Sequence, residues 1–127
     1  MRIKLFLYYI MLMCATVTFA GDFSLVPLPS SVQMAEGEFV FGKKLNVAVA
    51  DYPGDSLQAV VDRFAPGFSK SIGVVLKKSK IEKAQMSVSV NAKLPYEGYR
   101  LKVEKKGIAV EVSSPAGLFY ALQTLKQ

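Results

Sequence analysis

The chain has 127 residues, a formal net charge of +6 from 16 Lys and Arg against 10 Asp and Glu, and no His or Trp. Its one Cys, Cys14, lies in an apolar amino-terminal segment. The remainder therefore cannot form a Ser-His-Asp triad, a cysteine nucleophile, a His/Cys zinc site or a disulfide. The length indicates one domain, with enough residues to bury a core.

The first 20 residues have the pattern of a secretory signal peptide. Arg2 and Lys4 supply a short positive region, and residues 5–19 are almost wholly apolar. Thr18 and Ala20 are small residues at the minus-three and minus-one positions of a cleavage site. The apolar run is shorter than the ~20 residues that a spanning helix needs. We expect residues 1–20 to be removed and the protein to be exported without a stable membrane span; a permanent anchor or acylation of the single Cys are the alternatives.

The first half of residues 21–127 predicts two strands after an extended segment. Residues 25–34 contain Pro27 and Pro29, which favour an edge strand or a strap over the surface. The apolar residues 39–41 predict a short strand. Residues 45–49 alternate between apolar and polar or small side chains, which is typical of a half-buried strand.

A helix is predicted next. Apolar side chains recur with helical spacing at Leu57, Val60, Val61, Phe64 and Phe68. Asp55 is the predicted N-cap, because Gln58 follows it at the spacing of a capping box. Pro66 with Gly67 is expected to end or kink this helix.

The second half predicts strands, a hairpin and a final helix. Residues 74–76 form a short apolar run, and residues 86–91 and 99–113 alternate; the latter surround a Lys-Lys-Gly turn and predict an antiparallel hairpin. Ser114 and Pro115 are an N-cap and a first helical residue. The residues that share one face of this helix are Leu118, Ala121, Leu122 and Leu125.

This order of elements predicts the α+β class: a two-layer, mostly antiparallel sheet with two helices packed on one face. The final helix shows no stop signal before Gln127. We therefore expect the chain to be a fragment of a longer protein.

Two stretches together resemble a known family. They are LVPLPSSVQMAEGEFVF at residues 25–41 and YEGYRLKVEKKGIAVEVSSPAGLFYALQTLKQ at residues 96–127. They are similar to the amino-terminal, non-catalytic domain that precedes the barrel in glycoside hydrolase family 20, the bacterial β-N-acetylhexosaminidases. The resemblance covers residues 23–127, so we interpret residues 21–127 as this domain. Related domains precede other glycosidase barrels, including that of family 84.

The resemblance implies a partner and a chemistry that lie outside this chain. In the family a following (β/α)8 barrel carries an Asp-Glu pair: the Glu protonates the leaving oxygen, and the Asp orients the substrate's 2-acetamido group as nucleophile. No residue here matches those positions, so we expect no catalytic, cofactor-binding or metal-binding residue and no activity of the chain alone. The helices of the domain would pack on the barrel, and glycan would be bound only there. Phe119, Tyr120 and Leu122 of the final helix cannot all face the sheet, so an apolar residue on its far face is a candidate interface with the barrel. The location implied is the periplasm or the outside of a bacterium.

Three local clusters of residues are candidate sites. Glu97, Tyr99 and Arg100 could bind a sugar, but we favour a strand edge with one buried Tyr and an exposed ion pair. Asp51 and Asp55 could join Glu97 as an acid pair, although Asp55 is already explained as a cap. The lysines of residues 77–83 could bind a polyanion, but without interleaved aromatic residues a solvated loop is the better interpretation, with no nucleic-acid partner. The alternative function is a stand-alone exported interaction or carbohydrate-binding module.

Overall fold

The computed structural model describes residues 30–127. The predicted signal peptide and residues 25–29 of the predicted strap lie outside the described residues. Within them the elements are β1 (Lys44–Val49), α1 (Ser56–Ile72), β2 (Val75–Lys78), β3 (Met86–Val90), β4 (Tyr99–Glu104), β5 (Gly107–Val112) and α2 (Pro115–Lys126), with short 3-10 turns at Pro53–Asp55 and Ile81–Lys83.

The five strands form one sheet in the order β2-β1-β3-β5-β4. Both helices pack on the same face of this sheet and against each other. The buried side chains of the sheet come from alternate positions of β1, β3 and β5, as a sheet with one covered face requires. They meet the apolar stripes of the helices in one core, whose members are Leu45, Val47, Leu57, Val61, Phe68, Val74, Met86, Val88, Ile108, Val110, Val112, Leu118, Ala121 and Leu122.

The α+β class and the two helices on one face of a sheet agree with the sequence prediction, but the prediction that the sheet is mostly antiparallel is wrong. Only β4 and β5 are antiparallel. The pairs β1–β2, β1–β3 and β3–β5 are parallel. The helix α1 supplies the crossover connection that parallel β1 and β2 need. The β4–β5 hairpin places β5 between β3 and β4.

Three local predictions are also corrected. Residues 39–41 form no strand; instead, the rings of Phe39 and Phe41 stack edge-on with centroids 5.1 Å apart, and Phe41 packs on Phe68 of α1. The helix α1 does not end at Pro66 but continues to Gly73, which caps it in the left-handed conformation (φ 73°). Pro66 is exposed, whereas Phe68 beyond it is buried in the core and gives the continuing helix its packing.

The predicted capping box at the start of α1 is absent. Asp55 occupies the N-cap position, but its backbone is left-handed (φ 48°) and its side chain makes no capping bond. A capping side chain reaches the first amides from an extended backbone, which the preceding 3-10 turn does not allow here. The Gln58 side chain donates instead to Asp62, 2.9 Å away, within the helix.

Candidate docking surface

The amino end of α2 is fixed by two consecutive serines. Ser114 is the N-cap, and its Oγ accepts a bond from the backbone N–H of Gly117 (3.4 Å) while donating to the carbonyl of Tyr96. Ser113 Oγ donates to the carbonyl of Pro95 at 2.6 Å. The cap predicted from the Ser-Pro pair is therefore confirmed, and it also ties the helix to the loop before β4.

Gly117 allows α2 to lie close to that loop. A Cβ at this position would overlap the backbone carbonyl of Gly98. Seven residues later in α2, Oγ1 of Thr124 is 2.5 Å from the hydroxyl of Tyr99. The helix is thus held against β4 at both ends, which sets the rotation of α2 about its axis.

That rotation buries one face of α2 and leaves aromatic rings on the other. Leu118, Ala121 and Leu122 are buried, whereas Phe119 is 45% exposed. The rings of Phe119 and Tyr120 stack edge-on with centroids 5.6 Å apart. We call this pair the aromatic surface. The prediction that Phe119, Tyr120 and Leu122 cannot all face the sheet is confirmed, and Leu122 is the one that does.

A third aromatic side chain stands at the amino end of the same helix. Tyr96 is 71% exposed, and its backbone is held by the Ser114 cap. Its exposure could not be predicted from the sequence, because a loop residue belongs to no periodic pattern of apolar side chains.

The outward face of α1 differs in character. Its exposed residues include Asp62, Arg63 and Lys70, so water solvates it well. In α2 the only charged residue is Lys126, in the last turn. Exposed apolar surface of this kind marks interaction sites more often than a mixed polar face does. Of the two helices, α2 therefore presents the better docking surface.

Glu97, Tyr99 and Arg100 all line the groove beside β4, but the hydroxyl of Tyr99 and the guanidinium of Arg100 are bonded to other side chains, so the three do not form a sugar site. Tyr99 is half-buried and bonded to α2. Arg100 pairs with Glu111 of β5 (3.0 Å) on the opposite face of the sheet. The predicted exposed ion pair is confirmed, with Glu111 as its acidic partner, whereas Tyr99 is half-buried and not buried as predicted.

The proposed acid pair is also separated. Asp51 and Asp55 line one small depression of about 90 Å3 at the carboxyl end of β1, whereas Glu97 lines a different groove beside β4. Within residues 30–127 no three His, Cys, Asp or Glu side chains gather as metal ligands would. In the same range, no helix has the length and apolar character needed to cross a bilayer.

An exposed ion pair lies on the edge strand. Lys102 Nζ is 2.8 Å from Oε1 of Glu104. The hydrogen bond and the charge of Glu104 raise the pKa of Lys102. The same bond and the charge of Lys102 lower the pKa of Glu104, with a smaller contribution from Lys106.

Comparison with known proteins identifies the family. The model of glycosyl hydrolase family 20, domain 2, matches residues 22–127, and the chain belongs to this family. A β-N-acetylhexosaminidase from Bacteroides fragilis NCTC 9343 has a similar structure over 80% of this chain and 20% of its own, with a TM-score of 0.64 and 26% identity. An N-acetyl-β-hexosaminidase from Streptomyces plicatus matches the same shares with a TM-score of 0.68 and 24% identity, and shows the fold.

A third solved structure, an inactive mutant of an exo β-N-acetylglucosaminidase from Vibrio harveyi, is covered over only 15% of its chain, with a TM-score of 0.67 and 24% identity. The present chain thus spans a fifth or less of these solved structures. A search of curated proteins found no match. The resemblance stated from the sequence is confirmed at the level of the family and of this domain.

Proposed function

We propose that this chain is the non-catalytic front domain of an exported β-N-acetylhexosaminidase, and that the aromatic surface of α2 docks on the catalytic barrel of the same polypeptide. The observation that carries the proposal is the aromatic surface itself. A helix that is pinned at both ends and still leaves Phe119 45% exposed has an apolar face without a partner among the described residues.

The comparisons support assigning catalysis to a part of the protein that lies outside this chain. The family match begins at residue 22, close to the predicted cleavage site after Ala20, which is compatible with removal of the first 20 residues. Most of each similar solved structure lies outside the part that this chain covers. Hydrolysis of a terminal N-acetylhexosamine would be carried out there, and the chain alone would be inactive.

Docking would stabilise both partners by excluding water from the two rings. Burying a large aromatic side chain contributes about 1.5–3 kcal/mol relative to its exposed state. Part of Phe119 is already covered, so its contribution would be towards the lower end. The outer face of the sheet would remain in solvent, which suits its polar side chains.

The first experiment is to read the source DNA past codon 127. A frame that continues into several hundred codons of alternating strands and helices with an Asp-Glu pair supports the proposal. A stop codon directly after Gln127 contradicts it, and the role of the protein would then be sought by binding assays.

The second experiment tests the surface in the complete enzyme. Phe119→Asp is expected to lower the melting temperature and the yield of active enzyme. Ala109→Asp is the matched control: Ala109 is exposed on the opposite face of the sheet, opposite Lys102 in register, so the same charge is introduced away from the docking surface. Equal losses in both variants would contradict docking through α2.

A further inference from the structure

Among residues 30–127, no strand pairs with the outer edge of β4, whose backbone groups face outwards. Ile108 N–H donates to the residue before β3 (2.8 Å), and the Val112 carbonyl accepts from the residue after β3 (2.8 Å). The backbone N–H and C=O groups of Ile108 and Val112 therefore point away from β4. The backbone N–H and C=O groups of their register partners, Val103 and Tyr99, point away from β5. With Leu101 between them, three N–H and three C=O groups face the open edge.

A groove of about 690 Å3 runs along this edge. One wall is β4 with the loop before it, and the other wall is the extended segment of residues 30–37. Apolar side chains stand exposed on both walls: Val103 is 45% exposed on β4, and Val32 and Met34 are 51% and 71% exposed across the groove. Neither wall covers the other in this arrangement.

The sequence of the facing wall is that of a strand. Residues 31–35 read Ser-Val-Gln-Met-Ala, so Val32 and Met34 share one side and Ser31 and Gln33 the other. The segment is extended but has no strand partner. A chain with this alternation can bury one face and leave the other in water.

The base of the segment is anchored in the core, whereas its far part is exposed. Phe39 and Phe41 anchor the chain in the core through Phe68. Gly37 has a left-handed backbone (φ 99°) and packs beneath the side chain of Lys105. A residue that tolerates this conformation without strain is a suitable hinge. Beyond it, residues 30–36 are exposed.

We propose that residues 31–35 close on β4 as a sixth strand. Closure pairs the three outward N–H and C=O groups of the edge and brings Val32 and Met34 against Leu101 and Val103. The occupant of the groove is this segment and not a second molecule, because it is tethered beside the edge at a high effective concentration. An uncovered edge would invite pairing with another chain, so closure also keeps the sheet from extending between molecules. The inference does not depend on the proposed function.

Residue-resolved amide exchange by NMR on the purified protein tests the proposal. The amides of Leu101 and Val103 should exchange at least about tenfold more slowly than they would on an edge strand whose amides face solvent. The amides of Arg100 and Lys102, which alternate with them and face β5, report whether the hairpin is intact. Their protection should be the same in every variant.

Two double variants separate closure from a general effect of charge. Val32→Asp with Met34→Asp places carboxylates on the buried side of the added strand and should remove the protection of Leu101 and Val103. Ser31→Asp with Gln33→Asp places them on the solvent side and should leave the protection intact.

Fast exchange of Leu101 and Val103 in the unmodified protein, or equal protection in both double variants, would overturn the proposal. Protection that grows with protein concentration would also overturn it, because the edge would then be covered by a second copy of the chain.

Discussion

The hydroxyl of Tyr99 donates a hydrogen bond to Oγ1 of Thr124 at 2.5 Å. The direction follows from the next contact, because Thr124 Oγ1 uses its own proton to bond the carbonyl of Tyr120 at 3.1 Å. Within the described part of the chain, β4 is an edge strand with β5 as its one neighbour in the sheet. The side-chain bond therefore ties this edge to α2. It also fixes the turn of helix that carries the aromatic surface.

Removing that hydroxyl should cost a modest amount of stability. Tyr99→Phe keeps the ring and deletes one hydrogen bond, so the free energy of unfolding should fall by about 0.5–1.5 kcal/mol. Thr124→Val should cost at least as much, because it leaves the half-buried Tyr99 hydroxyl without this partner. Urea denaturation of the two single variants and the double variant gives the coupling energy. Additive losses would contradict a direct interaction between the two side chains.

A glycine pair offers a test of how closely α2 approaches the loop before β4. Gly117→Ala should destabilise the domain by about 1–3 kcal/mol, although Ala is the better helix former, because the new Cβ meets the Gly98 carbonyl. Gly67→Ala in α1 is the control: that Cβ would have no atom within 4 Å. It should stabilise the protein by about 0.5–1 kcal/mol through helix propensity alone. Opposite signs in thermal or urea denaturation are expected, and a shared sign would show that the close approach is absent in solution.

Much of this architecture follows from local patterns. The hairpin, β1 and β3 were predicted from alternating side chains, and α2 from the Ser114-Pro115 start. Each of these signals acts within a few residues. The structure agrees because the same side chains that alternate in the sequence are the ones buried in the sheet.

The predictions that were wrong share a different cause: the features concerned depend on contacts between residues that are far apart in the sequence. A period of two does not reveal whether a neighbouring strand is parallel, so the sheet was predicted to be mostly antiparallel although three of its four pairings are parallel. The helix α1 continues past Pro66 because Phe68 packs on Phe41. Local helix propensity does not include this contact with a distant residue. The docking surface was predicted as a conflict among Phe119, Tyr120 and Leu122. The one that stays exposed is determined by the hydrogen bonds of Ser114 and Tyr99, which orient α2.

The aromatic surface should make the domain self-associate when residues 21–127 are produced alone. Phe119→Ser is expected to shift sedimentation towards the monomer, because it removes an exposed ring while leaving the buried face of α2 intact. Its effect on the free energy of unfolding should be far smaller than that of Leu122→Ala, which empties a buried site and costs about 2–5 kcal/mol. A monomer at all concentrations before substitution, with α2 fully protected from exchange, would count against an unpartnered face.

The Lys102–Glu104 pair predicts a local dependence on pH at the edge strand. Lys102 lowers the pKa of Glu104 through a hydrogen bond and its charge. Because the folded-state pKa lies below the ordinary value, the stabilising contribution of Glu104 is present above that ordinary pKa and is lost as the pH falls through the lowered one. The pKa of Lys102 is raised, so its contribution is present below its ordinary pKa and is lost as the pH rises through the raised one.

Carboxyl-detected NMR titration checks this pair without relying on global stability, to which an exposed ion pair contributes little. Lys102→Gln should return the pKa of Glu104 most of the way to its ordinary value, with a small lowering left from Lys106. Lys102→Arg should preserve most of the lowering, and added salt should weaken it, since both side chains are exposed. An unchanged Glu104 pKa in the Gln variant would show that the two side chains are apart in solution.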